Sequence, residues 1–225
     1  MVSTSSGLRL YVDSTEEKDW QHYLPTGIFY GVTTNPKLLN QTGIGFTIDR
    51  LAKLAQTAFE LGANEIHLQV WGCEMEQMLK IARELAGIDQ RVMVKVPITP
   101  VGILCARKLI AEGSNVTMTA VHSAQQVLIA IALGASYAAP YLGRMTDGGL
   151  NGIEEVTSMG RIVAAMDSPL RLLVASIRQT ADLKALAERG LNTFTLLPKI
   201  IDDLLENELT RQAVISFEEA VNEGK

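Results

Sequence analysis

No apolar run in this chain approaches the ~18 residues that a membrane-crossing helix needs, so no transmembrane segment and no membrane partner is expected. Cysteine is scarce. Cys73 and Cys105 are the only two, on different predicted elements and without C-x-x-C or metal-ligand spacing, and they read as reduced, packed thiols. His22, His67 and His122 share no spacing that would suggest a metal, so no metal is expected and the three histidines read as packing residues. Basic residues are outnumbered, 20 Lys and Arg against 25 Asp and Glu, which disfavours a nucleic-acid partner because replacing counterions on a phosphate backbone needs clustered cations. Met1 to Gly7 is small and polar, with neither the basic nor the apolar region of a secretory leader, and a cytosolic protein is the expectation. Two further signatures are missing: a G-x-G-x-x-G after the first strand and a G-x-x-x-x-G-K-[ST] loop, so dinucleotide-binding and P-loop readings lose their main support.

What is present is regular alternation. With 225 residues, 47% of them hydrophobic, and no linker or low-complexity segment, residues 1–225 read as one domain. Eight short β-branched runs stand out: 9–12, 31–34, 65–70, 92–96, 116–121, 137–141, 172–175 and 193–197. Helical periodicity fills 47–61, 74–86, 100–111, 123–133, 152–166 and 180–189 between them. Gly62, Gly87, Gly113, Gly134 and Gly190 each follow a helical segment, where positive φ commonly ends a helix. Eight β-α repeats in about 200 residues predict an α/β fold, a single (β/α)₈ TIM barrel. The tail predicts two more helices, 200–205 and 210–221, with 206–225 as a helical extension. The stripe Ala213, Val214, Phe217 and Ala220 would pack on its own barrel or on a neighbouring subunit.

Active sites in such barrels form at the C-terminal ends of the strands. Asp13, Asn35, Gln69, Lys95, Thr119, Tyr141 and Ser176 all fall there. Lys95 interrupts V-M-V-K-V-P, a run apolar enough to be buried on both faces. Burial favours the neutral amine, the form that attacks a carbonyl, although a lysine can also snorkel to solvent or pair with a carboxylate. Asp13 in L-Y-V-D-S fits a helix cap or a proton-transfer group equally well. Asn35 before Pro36 is a natural turn residue. Arg144 and Arg178, beside Ser176, would either form surface ion pairs or clamp a phosphate with their planar forks. Asp147, Gly148 and Gly149 read as a flexible loop, and Glu16, Glu17 and Asp19 as the solvated face of a short first helix.

Taken in order, Y-V-D-S, G-V-T-T-N-P-K-L-L, V-K-V-P-I-T-P-V-G, T-M-T-A-V-H-S-A-Q-Q, A-P-Y-L-G-R and V-A-S-I-R resemble the transaldolase family. Within it they are closest to the short-chain subfamily that contains fructose-6-phosphate aldolase and small transaldolases. The resemblance spans Leu10 to about Val214. It implies that Lys95 forms a Schiff base with a ketose carbonyl, that Asp13 moves the proton of the neighbouring hydroxyl, and that no cofactor is needed. It further implies that Thr34, Asn35 and Ser176 hold substrate, that Arg144 and Arg178 bind phosphate, and that Gln69, Thr119 and Tyr141 order a water used in proton transfer. Sugar phosphates would be the substrates, and ring-like homo-oligomers, often decamers, are common in the subfamily.

Three positions depart from the transaldolase pattern: Gln69 replaces a usual glutamate, Tyr141 a phenylalanine and Thr117 an asparagine. They resemble the aldolase side, whereas S-I-R and L-G-R look more like small transaldolases, and the balance favours the aldolase. A barrel that only binds sugar phosphates is the reading from a different class, and a retained nucleophile argues against it.

Overall fold

The computed structural model describes residues 7–224. The stretch read for a leader therefore lies, apart from Gly7, outside the described residues, as does Lys225 of the tail. Eight strands, β1 (Arg9–Asp13), β2 (Phe29–Thr33), β3 (Glu65–Gln69), β4 (Val92–Pro97), β5 (Val116–Val121), β6 (Tyr137–Pro140), β7 (Arg171–Leu172) and β8 (Thr193–Leu196), pair in parallel. The order runs β7-β6-β5-β4-β3-β2-β1-β8, and a Val174–Phe194 bridge joins the two ends into a (β/α)₈ barrel. Parallel strands need long crossovers, and helices supply them.

The helices in chain order are α1 (Glu17–Tyr23), α2 (Pro36–Thr42), α3 (Ile48–Glu60), α4 (Met75–Ala86), α5 (Pro100–Ala111), α6 (Ala124–Leu133), α7 (Leu142–Asp147), α8 (Gly152–Ala165), α9 (Thr180–Ala187), α10 (Pro198–Leu205) and α11 (Glu208–Glu223). Two of them correct the sequence reading. Asn35 was expected in a turn; it is the N-cap of α2, its Oδ1 accepting from the Lys37 and Leu38 amides at 3.0 and 3.1 Å. Asp147 was expected in a loop and instead ends α7. Of the five helix-ending glycines, Gly87 alone has an ordinary φ, of −74°.

The strands are not buried alike on their two faces. Outward residues such as Val94, Val96, Ile66 and Leu68 join the main apolar core beneath the helices. Inward residues are largely polar, and the lumen's own apolar cluster is only Tyr11, Met93, Tyr137 and Leu173 with Tyr30 against it. V-M-V-K-V-P is thus a period-2 strand, with Met93 and Lys95 inside. At the N-terminal end of the lumen, Glu65 accepts from Tyr137 at 2.8 Å, Tyr11 at 2.9 Å and Arg9 at 3.1 Å. Arg9 also meets the Tyr137 hydroxyl and stacks on Tyr30. This network closes the N-terminal end of the lumen, and a cavity opens at the other end.

The last helix behaves unlike the others. No residue of α11 is buried, and Leu209 and Phe217 are 75% and 67% exposed, so it does not pack on its own barrel. Cys105 is buried, but Cys73 corrects its expectation: it lies on the β3–α4 connection, outside the packed elements, and is exposed. Asp19 is only partly solvated, because it accepts from Ser14 Oγ at 2.5 Å. Among the described residues no helix is long and apolar enough to cross a membrane.

Candidate active site

Strand ends place one cavity of about 560 Å³ at the C-terminal mouth, and Asp13, Asn35, Gln69, Lys95, Tyr141, Arg144, Ser176 and Arg178 all line it. Eight of the ten residues singled out from the sequence therefore meet in one place. Thr119 and Thr34 stand behind the wall. A wider groove of about 730 Å³ between α3 and the α4–β4 connection has no such convergence, its Arg91 being stacked on Phe59 and paired with Asp89.

Lys95 is 5% exposed, and its Nζ donates to the Thr34 carbonyl at 2.8 Å. It does not snorkel to solvent and forms no ion pair within 4.0 Å among the described residues. Thr34 is wholly buried, and its Oγ1 donates to the His67 carbonyl at 2.9 Å, so its contribution to the site is the backbone oxygen that aims the lysine. On either side in the sheet, β4 register pairs Lys95 with Gln69 and Thr117. His67 reaches Thr117 Oγ1 across the lumen through Nδ1 at 3.0 Å. Burial pushes the His67 pKa down, against the opposing pull of Glu65. Its Nε2 lies 3.6 Å from Glu65, too far for a hydrogen bond.

Asp13 is not a helix cap, since Glu16 occupies that position before α1. Its Oδ1 accepts from Thr33 Oγ1 at 2.8 Å, and Thr33 in turn meets Thr195 Oγ1 at 2.5 Å. Burial raises the Asp13 pKa, against the opposing pull of the Lys95 charge and the Thr33 hydroxyl. A carboxyl raised toward neutrality is suited to carrying a proton both ways. The same shift has a stability consequence. A folded-state pKa above that of the unfolded chain means that ionised Asp13 is destabilising, a penalty absent below the ordinary value of 3.8 and fully present above the folded-state value. We predict that Asp13→Asn raises the urea midpoint at pH 8 and that the gain fades as pH approaches 3.8; a lowered midpoint at pH 8 would contradict it.

Tyr141 lies one residue beyond the end of β6, as the N-terminal boundary of α7, not inside the strand. Its hydroxyl meets Thr119 Oγ1 at 2.9 Å, and its ring contacts the His122 edge. Opposite, Gln69 Oε1 is buried and accepts no hydrogen bond among the described residues. Two residues at the mouth, Ala120 and Ser176, hold left-handed φ of 59° and 60°; Asp167, after α8, is the third such non-glycine residue among the described residues. Gly143 donates its amide to the Ser176 carbonyl at 2.9 Å, and a Cβ there would come within 2.5 Å of that oxygen; only glycine lets α7 approach and bring Arg144 to the rim. The Arg144 guanidinium lies 5.5 Å from the Tyr141 ring centre. Arg178 pairs with Asp147 at 2.5 Å on the exposed rim, leaving the rest of its fork open to the cavity.

No metal-binding group of three or more His, Cys, Asp or Glu occurs among the described residues. A buried lysine beside a carboxyl of raised pKa, faced by two arginines, has the groups that amine chemistry on an anionic carbonyl compound would use. The family model described as Transaldolase/Fructose-6-phosphate aldolase matches residues 10–224. The chain belongs to this family. Proteins named "Probable transaldolase" from Phenylobacterium zucineum and Rhodospirillum centenum are 30% and 32% identical to it, covering 93% of this chain and 94% and 89% of their own. Among solved structures, thiamine phosphate pyrophosphorylase from Pyrococcus furiosus superposes with a TM-score of 0.61 at 15% identity, over 88% of this chain and 94% of that one. A mandelate oxidase mutant gives 0.58 at 14%, over 85% and 64%. Those two likenesses speak for the barrel alone.

Sequence reasoning missed Thr33, Thr195, Lys37 and Gln41. The first two carry a signal in the alternation of T-F-T-L and Y-G-V-T, which puts threonines inside the lumen. Lys37 and Gln41 carry none, because nothing local says which face of α2 looks over the mouth.

Proposed function

We propose that the protein is a class I aldolase that reversibly cleaves fructose 6-phosphate to dihydroxyacetone and glyceraldehyde 3-phosphate. The observation that carries this is the isolated, buried Lys95 amine next to Asp13 at the floor of an otherwise cationic cavity. Arg144, Arg178 and Ser176 receive the phosphate, and Asn35 holds a hydroxyl through its free amide NH₂. Lys95 adds to C2 and water leaves, giving an iminium. Asp13 takes the proton from the C4 hydroxyl as the C3–C4 bond breaks, and the bonding pair moves into the iminium to form an enamine. The aldose phosphate departs. The enamine is then protonated from a water ordered by Gln69, Thr119 and Tyr141, and hydrolysis frees dihydroxyacetone and Lys95. Thr34, through its carbonyl, keeps the amine aimed. The iminium is the electron sink, so the mechanism calls for no cofactor.

Gln69 and Tyr141 support the aldolase because the buried Oε1 would accept a hydrogen bond from, and the phenol would donate one to, a water at the enamine carbon. The second reading is a transaldolase that passes the three-carbon unit to an aldose phosphate. The names of the relatives and the S-I-R and L-G-R motifs favour it. Turnover of fructose 6-phosphate with and without erythrose 4-phosphate separates the two: glyceraldehyde 3-phosphate released without acceptor supports the aldolase, release only with acceptor the transaldolase. Tyr141→Phe is expected to depress acceptor-free release about tenfold relative to transfer. An unchanged ratio would remove Tyr141 from the branch point.

We also infer a homo-oligomer. Leu209, Val214, Phe217 and Val221 form an exposed apolar helix face that a second copy would cover.

A further inference from the structure

We propose that Lys37, with the side-chain amides of Asn35 and Gln41, forms a second anion subsite that takes a phosphate or carboxylate on C1 of the ketone donor. It rests on the Schiff-base reading of Lys95. The cavity is lined by four cationic side chains, Lys37, Lys95, Arg144 and Arg178, against the single acid Asp13, in a chain whose formal charge is −5. Asp13 lies beside Lys95 and Asp147 pairs with Arg178, so with one phosphate on the arginines Lys37 still has no counter-charge next to it. Lys37 is exposed and has no carboxylate within 4.0 Å among the described residues. Asn35 uses its Oδ1 to cap α2, so what it presents to a ligand is the donor NH₂, and Gln41 makes no hydrogen bond among the described residues. A cation flanked by amide donors is matched by an anion.

Topology says which end of the substrate would meet it. In the order β7-β6-β5-β4-β3-β2-β1-β8, β2 and β6 stand four strands apart and so face each other across the closed barrel. Arg144, Ser176 and Arg178 follow β6 and β7; Lys37 and Gln41 sit on α2, directly after β2; Lys95 lies between them on β4. With C2 bonded to Lys95 and C3 to C6 running toward the arginines, the substituent on C1 runs toward α2. Lys37 would thereby let the site accept donors that carry their own anion, and discriminate them from the neutral three-carbon ketone.

Borohydride trapping on the full-length protein tests this at low ionic strength, with dihydroxyacetone, dihydroxyacetone phosphate and pyruvate as donors. In each case the amine adds to the ketone, water leaves, and borohydride reduces the C=N bond to a secondary amine that mass spectrometry locates on Lys95. We expect one or both anionic donors to half-saturate at about tenfold lower concentration than dihydroxyacetone, with the two arms showing whether phosphate or carboxylate is preferred. Lys37→Met should bring that ratio to about one, whereas Lys53→Met on the remote face of α3 should preserve it. A ratio of one in the unaltered protein, or the same ratio in Lys37→Met, would overturn the subsite while leaving the Schiff base standing. Absence of any adduct, even with dihydroxyacetone, would overturn the Schiff-base reading and the subsite with it.

Discussion

Lys95→Met is expected to lower turnover of fructose 6-phosphate by four orders of magnitude or more, roughly the loss seen when a covalent nucleophile is removed, while the barrel stays folded. Methionine approximates the lysine stem and takes an uncompensated amine out of a site that is only 5% exposed. The loss is one hydrogen bond to the Thr34 carbonyl, so stability should change by only about 1–2 kcal/mol in either direction. Circular dichroism and a urea melt would separate this from unfolding. A folded Lys95→Met protein that keeps substantial activity would show that the chemistry does not pass through the lysine.

Glu65→Ala should have the largest effect on stability, roughly 2–3 kcal/mol, because it breaks a partly buried pair and removes the acceptor that Arg9 and two tyrosine hydroxyls share. Burial by itself pushes the Glu65 pKa up; the nearby His67 and the hydroxyls of Tyr137 and Tyr11 outweigh it and leave the carboxyl below its ordinary 4.5. A depressed folded-state pKa gives stability that is fully present above 4.5 and is lost as pH falls through the folded-state value. Denaturant melts between pH 3 and 7 should therefore show the unaltered protein converging on Glu65→Ala only at the acid end. Equal losses at every pH would mean that the glutamate acts through packing and not through its charge. Asp13 contributes with the opposite sign, so the two ends of one lumen oppose each other in acid.

Much of the barrel was legible in the sequence because its signals are local. β-branched runs, helical periodicity and glycine stops recur in order, and β5 fell on the expected residues. Less legible were elements whose boundaries depend on neighbours. β7 shrinks to Arg171–Leu172, with Val174 and Ala175 reduced to isolated bridges, as the chain turns to give Ser176 its left-handed φ. α2 and α7 are only seven and six residues long and too short to show a period. The polar lumen was readable in principle, since Arg9, Tyr11 and Asp13 alternate with Leu10 and Val12, but V-M-V-K-V-P masks the same alternation by placing methionine inside. At the site, the residues at strand ends could be found from position alone. The Thr195–Thr33–Asp13 chain and the Thr34 carbonyl on Lys95 could not, because they join strands far apart in sequence.

The most direct test of the central claim is to incubate the protein with fructose 6-phosphate, reduce with borohydride, and map the modified peptide by mass spectrometry. A single three-carbon dihydroxypropyl unit on Lys95, absent in Lys95→Met and depleted in Asp13→Asn, is the predicted result. Covalent label on another lysine, or none at all from a preparation that turns over the sugar phosphate, would contradict the Schiff-base account.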